Sequence, residues 1–464
     1  MALSHGAVRW AKGLLALTVL STTGALMWTE VAGASLRGDR ASQIAGAVAT
    51  STVRLAPGRY TGTVDVAGGR ETLSFYVSNS GSQVQDVFVF GLNLNCGGGT
   101  GLSPGFKIGT MPLLSDGDFG TKTTSKFFFG IDPATITYRF LGHYKDRTAT
   151  GEPQLTGTLD ETLADTKHPK SCTSGTSVWT VTRDKQPRQT AAGAPAGRYS
   201  GTDAGSLGGV APFAFFASAS THELQDVSMK TATLSCSANT GSGGGFNVAS
   251  VPIKPDGSFA STTKSTGFWY GTAATFTYDF VGHFHSVGGP GSGVERAAGQ
   301  LTESVTNTGP HRVTCTTGLT EWSVTRNSQP TQTSAPPPSG SYGGNDAFPS
   351  QNSVLTFAVG SGTITSVKLN MVLTCAYGSG TPQAFAIPSV TVLPSGAFHS
   401  TTTSSGMLFG YPATITDTFE GHFHGVGPSG KERAAGQLAE SITNTAPTPA
   451  TCTSGLGGWT ASHS

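Results

Sequence analysis

From Thr275 to His285 the chain alternates: Phe276, Tyr278, Phe280, Gly282 and Phe284 are apolar, aromatic or Gly, and mostly Thr, Asp and His stand between them. A period of two is that of a half-buried β-strand. The same pattern runs from Thr135 to Lys145 and from Thr414 to His424, 140 residues earlier and 139 later. Neighbouring landmarks keep this period, so the chain is a tandem array of one domain. The periodicity predicts eight or nine short strands per unit and no long amphipathic helix, which favours a two-sheet arrangement over an open sheet. The expected fold is all-β, with three tandem β-sandwich or jelly-roll-like domains.

Punctuation residues set the boundaries. Gly58-Arg59-Tyr60, Gly197-Arg198-Tyr199 and Gly340-Ser341-Tyr342 open the units, which span 57–183, 197–326 and 340–464. Linkers rich in Pro, Gln and Ala occupy 184–196 and 327–339, and Pro336-Pro337-Pro338 makes the second semi-rigid. The domains therefore read as beads on a short string.

Composition narrows the function classes. Only 12 % of the 464 residues are charged and the formal net charge is +1, which gives no footprint for nucleic acid or anionic lipid. Arg9 and Lys12 precede an apolar run from Leu14 to Trp28 and the small-residue site Ala32-Gly33-Ala34. Residues 1–34 thus read as a secretory signal peptide, too short in apolar length for a spanning helix, and 35–56 as a flexible lead-in. After signal removal no span is expected and the localisation is extracellular, with retention at the cell surface open. The rest of the chain has no Asn-x-Ser/Thr site, which leans towards a bacterial source.

The six Cys fall two per unit: Cys96 with Cys172, Cys236 with Cys315, and Cys375 with Cys452. Regular spacing without any Cys-x-x-Cys predicts one disulfide per domain rather than zinc. Leu94, Leu234 and Leu373 lie two residues before the first Cys of each pair, so the bridges should touch the core.

The order Gly-x-Tyr, Cys, Gly-x-Phe, Gly-x-Phe, Gly-x-Leu, Cys, Trp resembles tandem all-β repeat domains of secreted, largely uncharacterised proteins of high-GC Gram-positive bacteria. The resemblance covers 57–464 and rests on core and turn residues. It implies a fold and a compartment, and no catalytic site.

Candidate chemistry centres on the repeated strand. His283 with His285, and His422 with His424, stand at i and i+2 and share a strand face, a chelating arrangement that needs a third ligand. The recurring Glu161, Glu303 and Glu440 fall on the opposite, apolar parity, and the first unit carries His143 with Lys145 in place of the second His. These His are therefore expected to be solvent-facing strand residues, with no metal and no cofactor. Each Glu sits in an apolar row, so a buried ion pair is expected of Glu161 with Arg183, Glu303 with Arg326 and Glu440 with His463. Phe128 and Trp269 are expected to point away from the core, either covered by a loop, the commoner outcome, or forming an exposed aromatic platform beside Thr, His and Gln side chains. No catalytic constellation is complete: Gly101-Leu102-Ser103-Pro104-Gly105 lacks its strand-to-helix setting, and a glycosidase would need a second recurring acid.

These features together suggest a secreted, non-enzymatic protein for extracellular or cell-surface binding, with a carbohydrate or cell-wall component as partner. A hydrolase acting through the recurring Glu and a structural surface spacer are the alternatives.

Overall fold

The computed structural model describes residues 55–464 apart from short segments, among them 185–195, 204–210, 286–295 and 328–336. The expected signal peptide, nearly all of the lead-in and most of both linkers lie outside the described residues. Three antiparallel sheets account for the described chain, one in each repeat, and no helix occurs among the described residues.

The second repeat shows the common plan. Gly197–Asp203, Ala211–Ala217, Glu223–Met229 and Phe246–Pro252 pair in sequence order. Ser258–Trp269, Thr272–His285, Arg296–Asn307 and Thr320–Arg326 do the same, and the last of these pairs back onto the first strand of the repeat. A single bridge, Ile253↔Phe259, links the two halves at the other side. The meander thus curls into a sandwich-like body around one core, and the closed curl leaves little exposed edge. Antiparallel neighbours need only tight turns, which the abundant Gly and Pro supply.

Each core is built on the late Trp. Trp322 lies 5.0 Å from Phe213 and 5.1 Å from Phe280, centroid to centroid, with Phe259 at 5.8 Å. The indole has room because Gly282 and Gly299 face each other beneath it. A Cβ on Gly299 would sit 2.0 Å from the Val281 carbonyl oxygen and 2.7 Å from the Trp322 ring. Backbone cannot yield by that much, so Gly299→Ala should destabilise the second repeat by about 3 kcal/mol. Thermal unfolding should show a lowered midpoint for that repeat; an unchanged one would mean that the ring and strand repack freely.

The three disulfides join Cys96 to Cys172, Cys236 to Cys315 and Cys375 to Cys452, one in each repeat. Cys236 faces Cys315 directly in the ladder, as Cys375 faces Cys452. The last four are buried in their cores, and Cys96 packs half-buried against the first. No helix among the described residues is long and apolar enough to cross a membrane. Disulfides of this kind suit an oxidising compartment.

Candidate functional site

The repeats meet through a polar constellation that occurs twice. Its first element is a β-bulge. In the first repeat Ser74 pairs with Phe88 and Tyr76 with Gln85, so Phe75 faces two residues, Asp86 and Val87. The second repeat has the same irregularity between Ala214 and Phe216, with Asp226 in the extra position. Asp86 has φ 50° and Asp226 φ 52°, a left-handed conformation that Asp tolerates better than most side chains. A bulge redirects its side chain, and here the carboxylate is aimed at the following repeat.

The second element is the His-x-His pair at the end of the repeated strand. His285 Nε2 lies 2.6 Å from Asp86 Oδ2, and His283 Nδ1 lies 3.2 Å from the same oxygen. At the next junction His424 Nε2 is 2.5 Å from Asp226 Oδ2 and His422 Nδ1 is 3.4 Å from it. An aromatic ring from the preceding repeat stacks on the inner imidazole: Tyr76 on His285 at 3.6 Å, Phe216 on His424 at 3.5 Å. The amide of Gln300, with its oxygen turned inward, accepts from Gly109 N at 3.1 Å and Ile108 N at 3.3 Å. Gln437 accepts from Val248 N and Ala249 N, each at 3.0 Å. Asp86, His285, Asp226 and His424 are all buried.

The electrostatics follow from burial and proximity. Burial works to raise the Asp86 carboxyl, but His283 and His285 outweigh it and hold it below the usual carboxylate range; His422 and His424 do the same for Asp226. Burial lowers both outer imidazoles, yet the adjacent carboxylate wins and raises His283 and His422. For the inner imidazoles burial prevails, and His285 and His424 are lowered. At each junction proximity thus favours the ionised carboxylate and the charged form of the outer His, and burial favours the neutral form of the inner His, whose Nε2 faces the carboxylate. The inner Nδ1 atoms, of His285 and His424, have no hydrogen-bond partner.

The two ends of the array lack one half of this constellation each. The first repeat has His143 and Lys145, both exposed, where the others have two His, and Thr158 where they have Gln300 and Gln437. The third repeat keeps the bulge, but Ala358, Thr365 and Ser366 replace the aromatic ring, Gln and Asp of the first two. Ser366 retains φ 57° and is exposed. The backbone device persists there without its chemistry.

Several expectations are corrected. His283, His285, His422 and His424 do not face solvent; they are buried or half-buried between repeats, because the missing third group comes from the preceding repeat. The Glu and His do lie on opposite faces: Glu303 pairs with Tyr278, whereas His283 pairs with Ala298 on the other face. Trp269 does not form a platform. It shares the face of core residue Phe259, packs on the core and donates Nε1–H to Cys315 Sγ at 3.1 Å. Phe128 is half-buried, and its carbonyl accepts from Ser235 Oγ of the next repeat at 2.8 Å.

The expected ion pairs of the second and third repeats do not form, because antiparallel pairing carries the partners to opposite ends of the sheet. Leu301, two residues before Glu303, pairs with Thr320, while Arg326 lies opposite Tyr199 and donates to the Ala196 carbonyl. His463 likewise sits opposite Tyr342, remote from Glu440. In the first repeat Arg183 Nε donates to the Pro57 carbonyl and Arg183 pairs with Tyr60, while Glu161 lies beyond the other end of that strand. Glu161, Glu303 and Glu440 are fully buried, and the carboxyl oxygens of Glu303 and Glu440 have no hydrogen-bond partner. Burial pushes Glu303 up to about 8 and, with Asp417 across the ladder, Glu440 to about 8 as well.

A cavity adjoins the first junction, lined by Arg59, Tyr76, Asp86, Arg296 and Glu321 among others. No family model, curated protein or solved structure matches this chain.

Proposed function

We propose that the chain is an exported, non-enzymatic structural array: three disulfide-bonded repeats clasped end to end, stopped at a fixed length and used as a spacer or scaffold outside the cell. The observation that carries this reading is the distribution of half-clasps. Both internal junctions have a complete Asp and His-x-His set, and each outer face lacks its half. In repeat arrays such end units keep the stack from extending. A binding platform receives no support from Trp269, which is turned inward. The recurring Glu support a hydrolase no better, since a carboxyl with no exposure cannot meet a polymeric substrate.

The capping idea has a direct test. Restoring both outer halves, with Lys145→His and Thr158→Gln in the first repeat and Ala358→Phe, Thr365→Gln and Ser366→Asp in the third, makes the two ends complementary. A head-to-tail contact of this kind generates open chains. Sedimentation should show a monomeric parent and concentration-dependent oligomers of the variant. A variant that stays monomeric while folded, or a parent that already polymerises, would overturn the reading.

A further inference from the structure

We propose that each junction is a binding site for a divalent transition-metal ion, zinc above all, held by Asp86, His283 and His285 at the first and by Asp226, His422 and His424 at the second. The inference rests on the clasped array proposed above and adds a ligand to it. In each trio the donor atoms, one carboxylate oxygen and two imidazole nitrogens, lie within 4.8 Å of one another. Two His and one carboxylate are the ligand number and kind of an open zinc site, with the fourth position left to water. Imidazole in two of three places favours zinc and its transition-metal neighbours over calcium or magnesium, which prefer all-oxygen sets.

The geometry is a repeated construction. The ring centroids of the two imidazoles are 5.9 Å apart with a 39° angle between planes in both trios. Stacking of Tyr76 and Phe216 fixes the inner rings, and the bulge fixes the carboxylates. Ligands held by packing in this way lose little freedom on binding. The shortest donor separation, 2.6 Å at the first junction, would have to open by less than an ångström to admit an ion with bonds of about 2.0–2.2 Å. Further carboxylates add negative charge near the outer imidazoles, Asp256 for His283 and both Glu223 and Glu420 for His422, which favours a cation there. The cavity beside Asp86 offers the first site a path for the ion and its water.

The experiment is zinc uptake by the folded chain after signal removal, measured by equilibrium dialysis with elemental analysis. Asp86→Asn and Asp226→Asn are the informative variants, because an amide oxygen still accepts the inner His Nε2–H but is a poor metal ligand. The parent should bind two zinc ions per chain, either single variant one, and the double variant none. Uptake of no zinc by the parent, or of two ions by the double variant, would overturn the site. Small-angle scattering in metal-free buffer separates this from the array itself. A parent that keeps one docked profile yet takes up no zinc loses the metal site and keeps the array. A parent whose repeats move independently loses the array.

Discussion

Asp226→Ala should release the third repeat from the second while leaving both folded. The variant removes the only carboxylate of its trio, so His422 loses its counter-charge and the buried Nε2–H of His424 loses its acceptor. Truncating one partner of a buried charged pair costs about 2–5 kcal/mol, and the middle of that range shifts the ratio of docked to released repeats by roughly 100-fold or more. The effect should stay at the junction, since Asp226 stands in a bulge that contributes its side chain to no core. The amides of Val248 and Ala249, which Gln437 accepts across the junction, report it directly. Hydrogen exchange at these two positions should speed up by a comparable factor, while core amides such as that of Phe419 keep their protection. Unchanged exchange at Val248 and Ala249 would show that the trio does not hold the junction.

Glu303→Gln should stabilise the second repeat at neutral pH. Glu303 is fully buried without a hydrogen-bond partner for either oxygen, and its folded-state value is raised to about 8 from 4.5. Between those values the native state keeps the proton and the unfolded state releases it. Stability is therefore greatest below about pH 4.5, falls as pH rises towards 8, and levels off above. At pH 7 the penalty is on the order of 3 kcal/mol, from about 1.4 kcal/mol for each pH unit above the unfolded value. Gln has the same shape and no proton to lose, so its unfolding midpoint should stay level across this range and exceed the parent's at pH 7. A parent that is level between pH 5 and 8, with a less stable Gln variant, would mean that the carboxylate has a charged partner.

The fold class was legible because its signals are local. Alternation at Thr275 to His285, glycines at turns and two Cys per repeat each report on one strand or one loop, and the 140-residue spacing multiplies the signal. The strand face of the histidines was legible for the same reason. Their partner was not, because strand alternation reports only on near neighbours in the chain, whereas the carboxylate lies 197 and 199 residues before the two His of the first trio. A signal for it did exist. Gln85-Asp86-Val87 recurs as Gln225-Asp226-Val227 and becomes Thr365-Ser366-Val367, while His-x-His is present in the second and third repeats and absent from the first. Two motifs offset by one repeat in this way suggest halves of one contact. The aromatic segment misled for a different reason: Phe268, Trp269 and Tyr270 are all large, and only the register with Ala273 and Thr272 shows which of Phe268 and Trp269 faces inward. Trp269 takes the place that Leu408 fills in the third repeat, against the core.

The central claim is that two Asp and His-x-His clasps make one body of three repeats. Small-angle X-ray scattering of the chain, compared with the Asp86→Ala/Asp226→Ala double variant, tests it most directly. The parent should fit a single docked arrangement with one radius of gyration, and the double variant should show a larger radius and the profile of independently moving domains. A parent that already scatters as separate bodies, or a double variant indistinguishable from the parent, would contradict the account.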